Sequence, residues 1–188
     1  MAAGAAPTDM LAEAGFPASV IYWIDRIVAT AAALVATGAL AFLFIILMLE
    51  VVVRYLTTQG LGWPAEMPNL LFPWLVMGGI VLAAQRGSHI AVTALLDKLP
   101  ASVARLLLLV MQLIITGTFA YLGWVGIKIL AITGSETYPI SGLSSSWAYL
   151  AVVVGFFGIA LTALTTAVRV LIANDPRLVR APDPEDEQ

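Results

Sequence analysis

A single histidine, His89, and the complete lack of cysteine set the chemical limits of this 188-residue chain. Thiolate metal sites, iron–sulfur clusters, disulfides and thiol catalysis all require cysteine. Haem held between membrane helices needs paired histidines, and most zinc sites need several His or Cys ligands. Neither requirement is met, so the expected cofactor set is empty. The remaining nucleophile candidates are Ser144, Ser145 and Ser146, a polar run preceding an apolar segment. By the layout derived below they lie on the opposite side of a membrane from His89, so no Ser–His–acid arrangement can form. No glycine-rich phosphate loop is present either. These residue types point away from an enzyme.

The composition explains why so few reactive side chains are available. Apolar residues make up 61% of the chain and charged residues 11%. An average soluble domain has about 45–50% and about 25%. Mean hydropathy is +0.96. A water-soluble globule and a disordered chain are both excluded. Nine basic against twelve acidic residues, net −3, leave no basic face for nucleic acid. Lipid is the solvent that this composition fits.

Four apolar runs each reach the roughly 20 residues needed to cross a bilayer. They predict spans over 27–53, 64–85, 104–128 and 147–168. Residues 1–26 carry no positive charge before Arg26, so the basic start of a signal peptide is lacking and the first span is expected to be retained. Arg26, Arg86, Lys98, Arg105, Arg169, Arg177 and Arg180 fall on one side, while Arg54 and Lys128 fall on the other. The excess of Lys and Arg places both termini in the cytoplasm. The acidic tail within 170–188 counts little in that rule. Between the second and third spans, Val92, Leu95, Leu96 and Leu99 recur at helical spacing, opposite Arg86, His89, Thr93 and Asp97. That pattern predicts an amphipathic interfacial helix over 88–99, ending at Pro100. The fold class is therefore an all-α membrane protein of four transmembrane helices plus this interfacial helix.

The charges cluster at span ends. Glu50 and Arg54 are four apart and can pair with each other. Glu66 follows Pro64 near the start of the second span, where a helix dipole favours a carboxylate. Lys128 can extend its stem to the interface. A proton relay or ion pathway needs ionisable groups near the midplane, and the spans lack them. Asn69, Gln112, Thr116, Thr118, Tyr121, Thr162, Thr165 and Thr166 could bond across helices. Gly78, Gly79, Gly117, Gly123, Gly126, Gly155 and Gly158 permit close helix approach. Pro73 lies inside the second span, where it removes the backbone bond to Asn69 and favours a kink. Trp23, Trp63, Trp124 and Trp147 sit near span ends as an aromatic belt, whereas Trp74 is deeper and suits a contact with another helix.

The stretch from Glu50 to Pro100 resembles the small membrane subunit of tripartite ATP-independent periplasmic (TRAP) transporters, the DctQ type. The resemblance rests on Arg54–Tyr55, on Trp63 with Glu66, on Trp74 with Gly78–Gly79, and on Arg86–Gly87–Ser88–His89–Ile90. A weaker echo lies at Leu143, Trp147 and Tyr149. The chain departs from the family pattern where Met67 replaces a second acid after Glu66. Ser88 stands where Glu often precedes the histidine, and Thr93 stands where Asp is favoured. The resemblance implies a non-catalytic subunit in the bacterial inner membrane. It would brace a large multi-span permease subunit that moves an organic acid or similar solute with sodium by an elevator motion. A periplasmic substrate-binding protein would deliver the solute. Arg54, Trp63, Glu66, Trp74, Arg86, His89 and Asp97 are the residues expected to meet a partner subunit or lipid. The alternatives are a self-sufficient homo-oligomeric transporter, which needs polar groups along one pathway, and a membrane anchor for an enzyme complex.

Overall fold

In the computed structural model, residues 15–57, 60–86 and 99–173 are described. They form four long helices: α1 (Gly15–Thr57), α2 (Met67–Arg86), α3 (Ala101–Thr133) and α4 (Ser146–Ile172). A 3₁₀ turn, Trp63–Glu66, leads into α2. All four helices are long and apolar enough to cross a membrane. The expected interfacial helix over 88–99 lies outside the described residues, apart from Leu99.

α1 is longer than its apolar run. Its 43 residues extend about 65 Å at about 1.5 Å per residue, twice the thickness of the hydrocarbon core. Helix therefore continues through the Tyr22–Arg26 region that composition alone assigns to a tail. One narrow stripe of α1 is buried: Asp25, Ala36, Ala39, Leu43 and Ile46. The last four are spaced by three and four, the repeat that keeps residues on one helical face. Phe42, Phe44, Ile45 and Leu34 point outward, and lipid tails are as good a solvent for them as protein.

The four helices do not contribute equally. α4 is the centre, with buried residues from Ala151 to Val170 on most of its faces. α3 packs along α4, and α2 packs on both α1 and α4. α3 itself is largely exposed, with Leu113, Ile114, Tyr121 and Trp124 facing outward. Two apolar clusters join the layers. One groups Leu43, Ile46, Met67 and Leu70, with Trp63, Leu71 and Tyr138 against it. The other groups Met77, Val81 and Ile159, with Val28, Ala32, Phe119 and Phe156 among its neighbours.

Glycine sets the closest approach at two crossings. A Cβ on Gly78 would lie 2.9 Å from the Ala32 carbonyl oxygen, which belongs to backbone and cannot move aside. A Cβ on Gly155 would collide with the Met77 side chain. Gly123, Gly126 and Gly158 also face neighbours, whereas Gly79 and Gly117 face open space. Pro73 is accommodated inside α2 without ending it.

α3 and α4 are joined by a tight reversal. Thr137 and Ser144 make an isolated antiparallel bridge. Tyr138 N–H donates to the Leu143 carbonyl at 2.9 Å, and Gly142 N–H donates to the Tyr138 carbonyl at 2.9 Å. Gly142 has φ of 69°, a left-handed conformation that costs other residues more than glycine.

Candidate functional site

Polar side chains gather at the two ends of the bundle. At the end where α3 turns into α4, Glu66 is buried and its carboxylate accepts two backbone hydrogen bonds. They come from Ile140 N–H at 3.0 Å and Ser141 N–H at 2.8 Å. Turn amides have no helical partner, so a carboxylate there satisfies donors that would otherwise be left over. Local sequence spacing favours a helix-dipole role for Glu66; its observed partners lie more than seventy residues away. Glu50 also serves a loop. Its Oε2 accepts from Leu61 N–H at 3.0 Å, and the expected Glu50–Arg54 pair is not formed. Arg54 is exposed in the last turn of α1, because the carboxylate beside it is turned toward an unsatisfied amide.

The serine run belongs to the same turn. Ser144 Oγ and Ser146 Oγ are 2.8 Å apart, Ser146 N–H donates to Ser144 Oγ, and Ser144 Oγ donates to the Gly134 carbonyl. These hydroxyls close the reversal. Nearby, Trp74 Nε1–H donates to the Trp147 carbonyl at 3.1 Å. The deeper tryptophan thus ties α2 to the first turn of α4.

At the opposite end the partners are side chains on helices and the backbone just past the end of α4. Arg169 Nη2 lies 2.7 Å from Asp25 Oδ2, and Thr165 Oγ1 lies 2.6 Å from Asp25 Oδ1. Gln85 Nε2 donates to Thr162 Oγ1 at 3.2 Å. Arg105 Nη2 donates to the Ala173 carbonyl at 2.7 Å, just past the end of α4. A cation is favoured there by the helix dipole. α1, α2 and α3 each anchor a polar side chain on the final turns of α4. Beyond this cluster Trp23 is exposed, with the Arg26 guanidinium 5.7 Å from its ring centre.

The residues singled out from sequence divide by this geometry. Glu66 and Trp74 hold this chain's own turn and helices, and Trp63 packs half-buried on the Leu43 cluster. Arg54 and Arg86 stand exposed at the ends of α1 and α2. His89 and Asp97 lie outside the described residues. Of the candidate cross-helix groups, Thr162 and Thr165 bond to other helices. Thr116 and Thr166 bond to carbonyls of their own helices, and Tyr121 faces outward. Asp25 was not a candidate on sequence: its partners are 140 residues away or more, and no local spacing announces them.

A bundle of four spanning helices, with its polar groups turned to holding its own ends, defines a multi-pass helical membrane protein. Residues 43–173 match the family model of the tripartite ATP-independent periplasmic transporters, DctQ component. The chain belongs to that family, and is therefore a transporter permease subunit of the bacterial inner membrane. It is 31% identical over 128 residues to a TRAP transporter small permease protein of Haemophilus influenzae, covering 66% of this chain and 76% of that one. It is 28% identical over 125 residues to the sialic acid TRAP transporter small permease protein SiaQ of Vibrio cholerae, covering 65% and 70%. The protein y4mM of Sinorhizobium fredii is 36% identical over 130 residues; these are 69% of this chain but only 24% of that longer protein.

Proposed function

We propose that this chain is the non-catalytic scaffold subunit of a sodium-coupled TRAP transporter for organic acids or similar small solutes. It braces a large multi-span permease subunit, and a periplasmic substrate-binding protein completes the assembly. One observation carries the reading: residues 27–49, 67–85, 106–127 and 147–168, the cores of the four spans, contain no charged side chain. A helix bundle that moved an ion or a carboxylate by itself would expose ionisable groups at mid-membrane. A fixed brace has no use for them. Both termini lie in the cytoplasm in this reading, following the distribution of Lys and Arg.

Arg54 and Arg86, exposed at opposite ends, are free to meet a partner subunit or lipid headgroups, and His89 and Asp97 are assigned to the cytoplasmic surface. Glu66, Trp63 and Trp74 support the Arg54 end from within, by fixing the turn and helices there. Copurification tests the reading. Expressed with its neighbouring genes and extracted in mild detergent, the chain retains a large multi-span protein, and alone in proteoliposomes it takes up no solute. Uptake by the chain alone, or a preparation that never retains a large partner, overturns the proposal.

A further inference from the structure

We infer that Asp25, Thr165 and Arg169 form an ionic latch that, more than apolar packing, sets where the first helix sits at its end of the bundle. Among residues 19–35 of α1, Asp25 is the one residue nearly fully buried, at 7% exposure. Every other side chain in that stretch is half-buried or exposed. Both oxygens of Asp25 are engaged by α4, one by Arg169 at 2.7 Å and the other by the Thr165 hydroxyl at 2.6 Å. α1 otherwise packs mainly on α2 and touches α4 over a short stretch.

The solvent makes this contact decisive. In a bilayer, apolar side chains are as well solvated by lipid tails as by other helices, so half-buried Val28 gives α1 little preference for one position, and the close approach of Ala32 to Gly78 fixes α1 against α2 rather than against α4. A buried carboxylate has no such latitude. It is stable only where a cation and hydrogen-bond donors meet it, and separating the pair leaves an uncompensated charge. Arg169 is held in the last turn of α4, where the helix dipole favours a cation. Asp25 must therefore come to Arg169, and α1 comes with it. The outward face of α1 is oriented as a consequence. This goes beyond the accessory role and does not depend on it.

The chain has no cysteine, so spin labels can be placed at will. Ile27→Cys and Leu171→Cys, both exposed and at the latch end, report the α1–α4 distance by electron–electron resonance in the full chain in lipid nanodiscs. The unaltered latch gives one narrow distance. Asp25→Leu with Arg169→Met removes the charges but leaves apolar bulk, and shifts the distribution to longer distances with roughly doubled width. The exchange Asp25→Arg with Arg169→Asp restores the narrow distance. The inference is overturned if the apolar double variant keeps the original distribution, or if the exchange stays as broad as the apolar pair. Should the double variant not accumulate in the membrane, Thr165→Val decides. It removes one hydroxyl only; broadening supports the latch and an unchanged distance overturns it.

Discussion

The two ends of the bundle are both polar, yet they are held by different chemistry. At the turn end, carboxylates meet backbone: Glu66 takes the amides of Ile140 and Ser141, and Glu50 takes that of Leu61. At the other end, side chains meet side chains or a helix terminus, as in Asp25–Arg169 and Arg105–Ala173. The first arrangement shapes loops, because backbone amides left over by a tight reversal need an acceptor. The second fixes helices against one another, because each partner sits on a different rigid element. Losing an acceptor from a turn loosens the turn, whereas losing one member of a buried ion pair strands a charge.

That contrast is broken or confirmed first by Arg169→Ala. The variant leaves the Asp25 carboxylate buried beside α4 without the guanidinium that meets it. A loss of about 3–5 kcal/mol in unfolding free energy is expected, the usual consequence of removing one member of a buried pair. Denaturant unfolding in mixed micelles measures it. A loss below 1 kcal/mol, on the order of an exposed pair, would place the two ends in the same energetic class.

The turn end is tested by Glu66→Ala. Here the effect is smaller and local, with both amides of the reversal losing their acceptor. Hydrogen exchange at Ile140 and Ser141 is expected to rise roughly tenfold, while exchange in the middle of α4 stays unchanged. Glu66→Gln, which keeps one acceptor oxygen, falls between the two. If α4 itself loosens as much as the turn, the carboxylate holds helices as well as loops, and the division between the ends fails.

The four spans were legible in the sequence because insertion depends on transfer free energy, which adds up along a contiguous run. Charge-free stretches such as 147–168 announce themselves. What did not show was which side chains meet. Asp25 lies two residues before its apolar run and so reads as part of a tail, although the helix runs through it from Gly15 to Thr57. Glu50 and Arg54 have the spacing of a pair, yet an unsatisfied amide at Leu61 competes successfully for the carboxylate. The glycines show the same limit. Gly78 and Gly79 are adjacent and chemically identical, but one helical step of 100° turns the first into α1 and the second into open space. Facing is a property of the assembled bundle. The sequence carried the family in its ordered short motifs, and left the latch unmarked.

The smallest expected effect is the most discriminating for the link between α2 and α4. Trp74→Phe keeps an aromatic ring in the same place and removes only the indole N–H that reaches the Trp147 carbonyl. That carbonyl opens α4, where its helical acceptor role to the following turn continues, so no acceptor is left wholly unmet. Interhelical hydrogen bonds in membranes average about 0.6 kcal/mol, and a loss of about that size is expected in the same unfolding measurement. A loss several times larger would mean that the indole, like Arg169 and unlike Glu66, fixes the position of a helix. The division by ends would then give way to one by partner: polar groups that reach another helix would set the architecture wherever they lie, and those that reach a turn would only shape it.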